Sequence, residues 1–155
     1  MSTKQEEANL ILKLYELRRD MPLRNAREWF TTEFDPQSAE EIVRLMLSGH
    51  RESARYRIVT SYWDMAAALV NHGAIDEQMF NDANSEHLVI FAKIEPFLAD
   101  VRAGLGTPEY LAHFEQLVMR VPDVKERLAK RRKLLKRWAE AHKQSKRRRA
   151  RVSSD

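Results

Sequence analysis

Cysteine is absent from the 155 residues. Its absence excludes disulfides and thiolate metal sites and favours a reducing compartment. Glycine and proline are scarce, four and five respectively, and no glycine-rich linker joins separate units. No apolar run approaches the roughly 18 residues that a membrane span needs. The opening MSTKQEEANL carries two glutamates where a secretory leader would be basic and then apolar. A cytoplasmic protein without a membrane span is expected. No stretch alternates apolar and polar residues as a strand would, and no internal repeat is visible. What remains is one domain, 43% hydrophobic and 32% charged, long enough to bury a core without staples.

The few glycines and prolines fall between segments of helical periodicity. Thr3 with Glu6 fits a capping box, and Leu10, Leu14, Leu17 and Met21 follow on one predicted face up to Pro22. Asn25 with Glu28 reads as a second box, opening a short helix with Trp29, Phe30 and Phe34. Asp35-Pro36 and Ser38 with Glu41 compete as the next start, and Gly49 ends that run. A helix over about 51–72 carries Ile58, Val59, Tyr62, Trp63, Met65, Ala66, Leu69 and Val70 on most of its circumference, so it is expected to be surrounded by others.

Gly73 reads as a left-handed terminator and Asp76 as the cap of the helix after it. Asn84 or Ser85 opens a helix over about 86–103, bent at Pro96, which removes the bond to Ala92. Gly104 and Gly106 mark the exit. Thr107-Pro108-Glu109 reads as a helix start and Pro122 as its end. Asp123 with Glu126 opens the last helix, predicted to run at least to Ala141 along a thin seam of Val124, Leu128, Leu135, Trp138 and Ala139.

Between Arg44 and about Val118, several of these residues recur as a set. They are Tyr62-Trp63-Asp64, then Leu69-Val70-x-x-Gly73-x-Ile75-Asp76-Glu77-x-x-Phe80, then Phe91-x-x-Ile94-x-Pro96-Phe97 and Val101-Arg102. The set resembles an uncharacterised bacterial all-helical family, a domain of unknown function. Asp64 stands where that family would place glutamate. The resemblance implies an all-helical fold and no particular activity. Some members carry an N-terminal membrane helix, which this stretch lacks, and the basic C-terminus lies outside the resemblance.

Signatures of catalysis are missing. His50, His72, His87, His113 and His142 are scattered, and none forms the Glu-x-x-His spacing of bundle metal centres. Ser48, Ser53 and Ser61 lack a nucleophile elbow. No enzyme, metal or cofactor is expected. Asp64 lies on the central helix, where a carboxylate needs a partner because desolvating its charge is costly. Arg102, on the proline-bent helix, is the candidate, giving a buried polar pair of Asp64 and Arg102.

Charge is the strongest signal. Residues 1–124 hold 13 Lys+Arg against 20 Asp+Glu, a net −7, while residues 125–155 hold 14 against 3, a net +11. Lys130, Arg131, Arg132, Lys133, Lys136, Arg137, Lys146, Arg147, Arg148, Arg149 and Arg151 are the candidate polyanion-binding residues. Three consecutive positions, such as 131–133, span about 200° of a helix, so no single docked face hides them. Like charges at i,i+4 repel, and an anionic surface would relieve them. Trp138 could dock this helix, stack on a nucleobase or pack against a second subunit.

The expected architecture is a single-domain all-α bundle of about six to eight helices. Residues 1–124 form an acidic body, 125–144 a protruding basic helix and 145–155 a frayed basic tail. The expected function is a non-enzymatic, self-associating interaction module whose basic helix pairs with an acidic protein surface. The alternative is non-specific binding of DNA or RNA through the same helix.

Overall fold

The computed structural model describes residues 2–154. Among them are nine α-helices: α1 (Lys4–Arg19), α2 (Met21–Thr32), α3 (Ala39–Leu47), α4 (Arg51–Asn71), α5 (Glu77–Ala83), α6 (Glu86–Ile94), α7 (Leu98–Leu105), α8 (Ala112–Met119) and α9 (Val124–Val152). A 3-10 turn, Glu95–Phe97, joins α6 to α7. The described residues contain no strand, and the chain is the all-helical bundle that its periodicity predicts.

Helix α4 is the axis of the body and packs against α2, α3, α5 and α8. Tyr56, Val59, Tyr62, Trp63, Ala66, Ala67 and Val70 are buried along it, and Phe30, Phe80, Phe91 and Phe114 close the core around them. The enclosure is less complete than expected. Ile58 and Met65 remain exposed, so one stripe of α4 faces outward.

Local signals held where they concerned turns. Thr3 and Glu6 form the full capping box of α1. Gly73 takes φ 80°, a conformation that costs side-chain-bearing residues about 1–2 kcal/mol, and Asp76 then accepts the Met79 amide at 2.8 Å. Pro96 breaks the predicted 86–103 helix into α6, the 3-10 turn and α7. Gly104 serves a close approach rather than an exit: a Cβ there would sit 3.0 Å from a Val43 methyl of α3, so its absence lets α3 and α7 pack.

Other signals yielded to stronger neighbours. Asn25 lies inside α2, which starts four residues earlier because Pro22 occupies its first turn. On α1 the buried positions are Ile11 and Leu14, while Leu10, Leu17 and Met21 of the predicted face are exposed. Ser38, not Asp35, caps α3, its hydroxyl accepting the Glu41 amide at 3.2 Å. Residues 107–111 form turns rather than a helix. Leu111 sits at φ 55° and α8 begins only at Ala112. Asp123 also takes a left-handed φ of 54° and makes no side-chain cap.

The frayed tail expected from residue 145 is a correction. Helix α9 continues through Arg151 to Val152. No proline or glycine interrupts 124–152, and Ala, Lys, Arg, Gln and Glu are all good helix formers, so nothing in the chain stops the backbone ladder. No helix among the described residues is long and apolar enough to cross a membrane.

Candidate functional site

Helix α9 lies against α6 and α2. Leu128 and Leu135 are its buried residues, with Val124 and Ala139 half-buried on the same seam. The docking also uses a polar device created by Pro96. Because proline has no N–H, the carbonyl of Ala92 lacks its helical partner. The Arg132 guanidinium donates to that carbonyl at 2.9 Å and lies 3.5 Å from Glu95. Further along, His142 Nε2 donates to Glu33 Oε1 at 3.2 Å and Lys146 Nζ donates to the same oxygen. These two donors hold the Glu33 carboxyl below its ordinary range.

The predicted cations therefore divide. Arg132 and Lys146 are held by the body, and Lys130 pairs with Glu126 one turn away at 3.2 Å. Arg131, Lys133, Lys136, Arg137, Arg147, Arg148, Arg149 and Arg151 meet no carboxylate among the described residues. Apart from half-buried Arg131, these eight are exposed.

Sequence reasoning missed a second cationic element. Arg18 and Arg19 end α1, and Arg24 and Arg27 follow one helical turn apart on α2. The fold carries Arg24 and Arg27 to the side of Arg131. A groove of about 500 Å³ separates α2 from α9, with Arg24, Arg27, Thr31, Arg131, Leu134 and Trp138 among its lining residues. It shares Arg24 and Arg27 with a second hollow of about 460 Å³ at Tyr15, Arg18 and Arg19. Glu86 sits at the junction, taking both Nε and Nη2 of Arg27 and lying 3.7 Å from Arg18. That bidentate bond raises the Arg27 pKa further. Four arginines within ten residues of an acidic body were the available signal.

Asp64 and Arg102 are not partners, a second correction. Asp64 Oδ1 accepts the Phe114 amide at 3.0 Å. Arg102 Nε donates to the Tyr110 carbonyl at 2.8 Å and its Nη1 to Glu115 at 3.1 Å. Both side chains grip the same segment from different elements. The reason lies in Leu111, which precedes α8 in a left-handed conformation and has no side chain able to cap; Asp64 supplies from α4 the acceptor that the α8 N-terminus lacks. Nearby, the Tyr110 hydroxyl donates to that of Tyr56 at 2.9 Å, and burial pushes the Tyr56 pKa well up.

Other buried ionisable groups are spent on structure. Lys93 donates to the carbonyls of Phe30 and Phe34, closing the end of α2, and burial lowers it to about 8. His87 packs between Trp63 and Phe80 with Nε2 3.0 Å from Asn81 Oδ1. Burial, then Arg131 and Arg18, bring it down to about 4, so it is neutral at pH 7 and its Nε2–H donates to Asn81. Among the described residues no three His, Asp or Glu side chains are grouped to hold a metal ion. An apolar groove of about 760 Å³ lies where the α1–α2 elbow meets α4, lined by Leu17, Met21, Leu23, Ile58, Tyr62 and Met65 among others.

No curated protein and no solved structure matches the chain. A family description, Domain of unknown function (DUF4760), matches residues 5–121. That span runs from the first turn of α1 to just past α8, leaves α9 outside, and is wider than the resemblance read from 44–118. With three quarters of its length matched, the chain belongs to the DUF4760 family, whose function is unknown.

Proposed function

We propose that the chain is a non-catalytic binding module that offers α9 as a cationic rod to an extended polyanion, the phosphate backbone of DNA or RNA. One observation carries the reading: eleven of the fourteen Lys and Arg of α9 meet no carboxylate among the described residues, while the helix is anchored by Leu128, Leu135 and Arg132. A 29-residue helix is about 43 Å long, so its charges are displayed along a line rather than gathered in a pocket. Duplex DNA carries one charge per about 1.7 Å, and a linear array matches a linear anion. The non-catalytic part rests on the polar clusters, whose side chains cap helix ends and turns.

Salt titration tests it. Contact with about six phosphates gives a slope of log K against log[salt] near −5 on duplex DNA. Removing residues 143–155, which carry six Lys and Arg, should flatten most of that slope. Absence of binding at about 50 mM salt would reject the reading.

A second reading has its own support. Glu33 and Glu95 already receive Lys146, His142 and Arg132, so α9 accepts carboxylates as partners, and an acidic protein surface, including that of a second copy, suits the same cations. Self-association would bring in the apolar groove, where Met21 is 60% and Met65 45% exposed. Light scattering of the full and truncated chains decides it: unchanged mass would remove the tail from assembly.

A further inference from the structure

The polyanion reading leaves open whether the nucleic acid is double- or single-stranded. Resting on that reading, the geometry points to a single strand held in the groove between α2 and α9, with Trp138 stacking on a base. Trp138 is 40% exposed and lines the groove. Tyr15, 50% exposed, lines the adjoining hollow. Arg24 and Arg27 border both hollows. Trp138 therefore stands beside a track of two joined hollows lined by arginines.

The charges of this track favour an anion despite two carboxylates. Glu86 is neutralised by Arg27 and Arg18, and Glu28 stands among the lining residues. Arg19, Arg24 and Arg131 meet no carboxylate among the described residues. Phosphates of one strand would bridge these arginines while a base turns toward Trp138; the Tyr15 ring is already taken up by the Arg18 and Arg19 guanidiniums, 5.3 and 6.0 Å from its centroid. A duplex keeps its bases paired and stacked on one another, so it offers Trp138 no base face. Aromatic platforms beside a cationic groove bind single strands with little sequence preference. The outer cations of α9, Lys133, Lys136 and Arg137, would continue to attract either form.

The tryptophans themselves supply the readout. Trp29 and Trp63 are 8% and 1% exposed, so quenching of emission by an added strand reports on Trp138. The full chain is titrated at low salt with a 20-nucleotide oligothymidine and with a 20-base-pair duplex, alongside Trp138→Ala and Trp138→Phe. The single strand should quench emission, and Trp138→Ala should weaken its binding about 5- to 150-fold while leaving duplex binding within about twofold. Trp138→Phe should recover most of the single-strand affinity. Arg24→Gln and Arg131→Gln should each reduce the single-strand salt slope by about 0.7.

No quenching by oligothymidine, or equal weakening of both ligands in Trp138→Ala, would overturn the single-strand site and leave duplex binding by α9 standing. Failure of both ligands to bind at about 50 mM salt would remove both readings. Should Trp138→Ala lose its helical circular dichroism, the quenching and the phenylalanine variant decide alone.

Discussion

The two longest helices solve opposite problems. Helix α4, 21 residues, buries nine of them between its neighbours; α9, 29 residues, buries two. α4 exists because the fold closes around it. α9 exists because its own residues favour a helix, nothing interrupts it, and two leucines, one arginine and one glutamate fasten it down. The first is held by burial, while the second leaves most of its charged side chains exposed. The family boundary falls between them, with α1 to α8 inside and α9 outside.

Deleting the largest buried ring of α4 tests this most severely. Trp63→Ala should cost about 3–5 kcal/mol in urea unfolding and lower the midpoint of the whole transition, because α2, α3, α5 and α8 all pack on that helix. Leu128→Ala, in the inner seam of α9, should cost about 2–4 kcal/mol with a different signature. Trypsin should cut α9 early while the body stays protected. Equal protection of both regions would mean that α9 and the body unfold as one unit.

His87 joins the two regions, since it stacks on Trp63 of α4 and feels Arg131 of α9 and Arg18 of α1. Its folded pKa of about 4 lies below the ordinary 6.5. Between those values the unfolded chain binds a proton that the folded one refuses, so stability falls as pH drops from 6.5 to 4. Its share should be about 2–3 kcal/mol, read from denaturant midpoints at pH 7 and pH 4. His87→Gln should remove most of that slope; an unchanged slope would show that another group carries it. Lys93 acts in the alkaline range by the same sign: with a folded value of about 8 against 10.5, its contribution to stability rises between those limits.

Asp64→Ala should cost about 1–2 kcal/mol, the range for a lost helix cap, and expose the Phe114 amide to hydrogen exchange. A loss confined to α4 amides would contradict the cross-helix cap. The smallest effect belongs to Glu33→Gln. It removes one exposed carboxylate from His142 and Lys146 and should change stability by less than about 1 kcal/mol, while loosening the far half of α9 in exchange experiments.

Much of this was legible in the chain. Gly73 and Asp76 announced a turn and a cap, Pro96 announced a bend where the helix in fact breaks, and the counts of acidic and basic residues separated body from rod. These are local properties, set by φ, by missing N–H groups and by charge density. Asn25 and Thr107 failed for the complementary reason. A capping pattern states where a helix could start, and a stronger competitor, Pro22 or the Leu111 turn, decided otherwise. Asp64 was rightly singled out as a carboxylate needing a partner, yet the partner was a backbone amide fifty residues away that no side-chain pattern advertises.

The amino-acid order by itself determined that this protein is helical, where most helices break, and that positive charge collects at one end, because each follows from neighbours within a turn or two. Only tertiary structure decided which carbonyl Arg132 would satisfy, that Asp64 would cap α8, and that Arg24 would come to face Arg131 across a groove beside Trp138. Those outcomes depend on which helix faces pack together, and packing couples residues that share no local relationship along the chain.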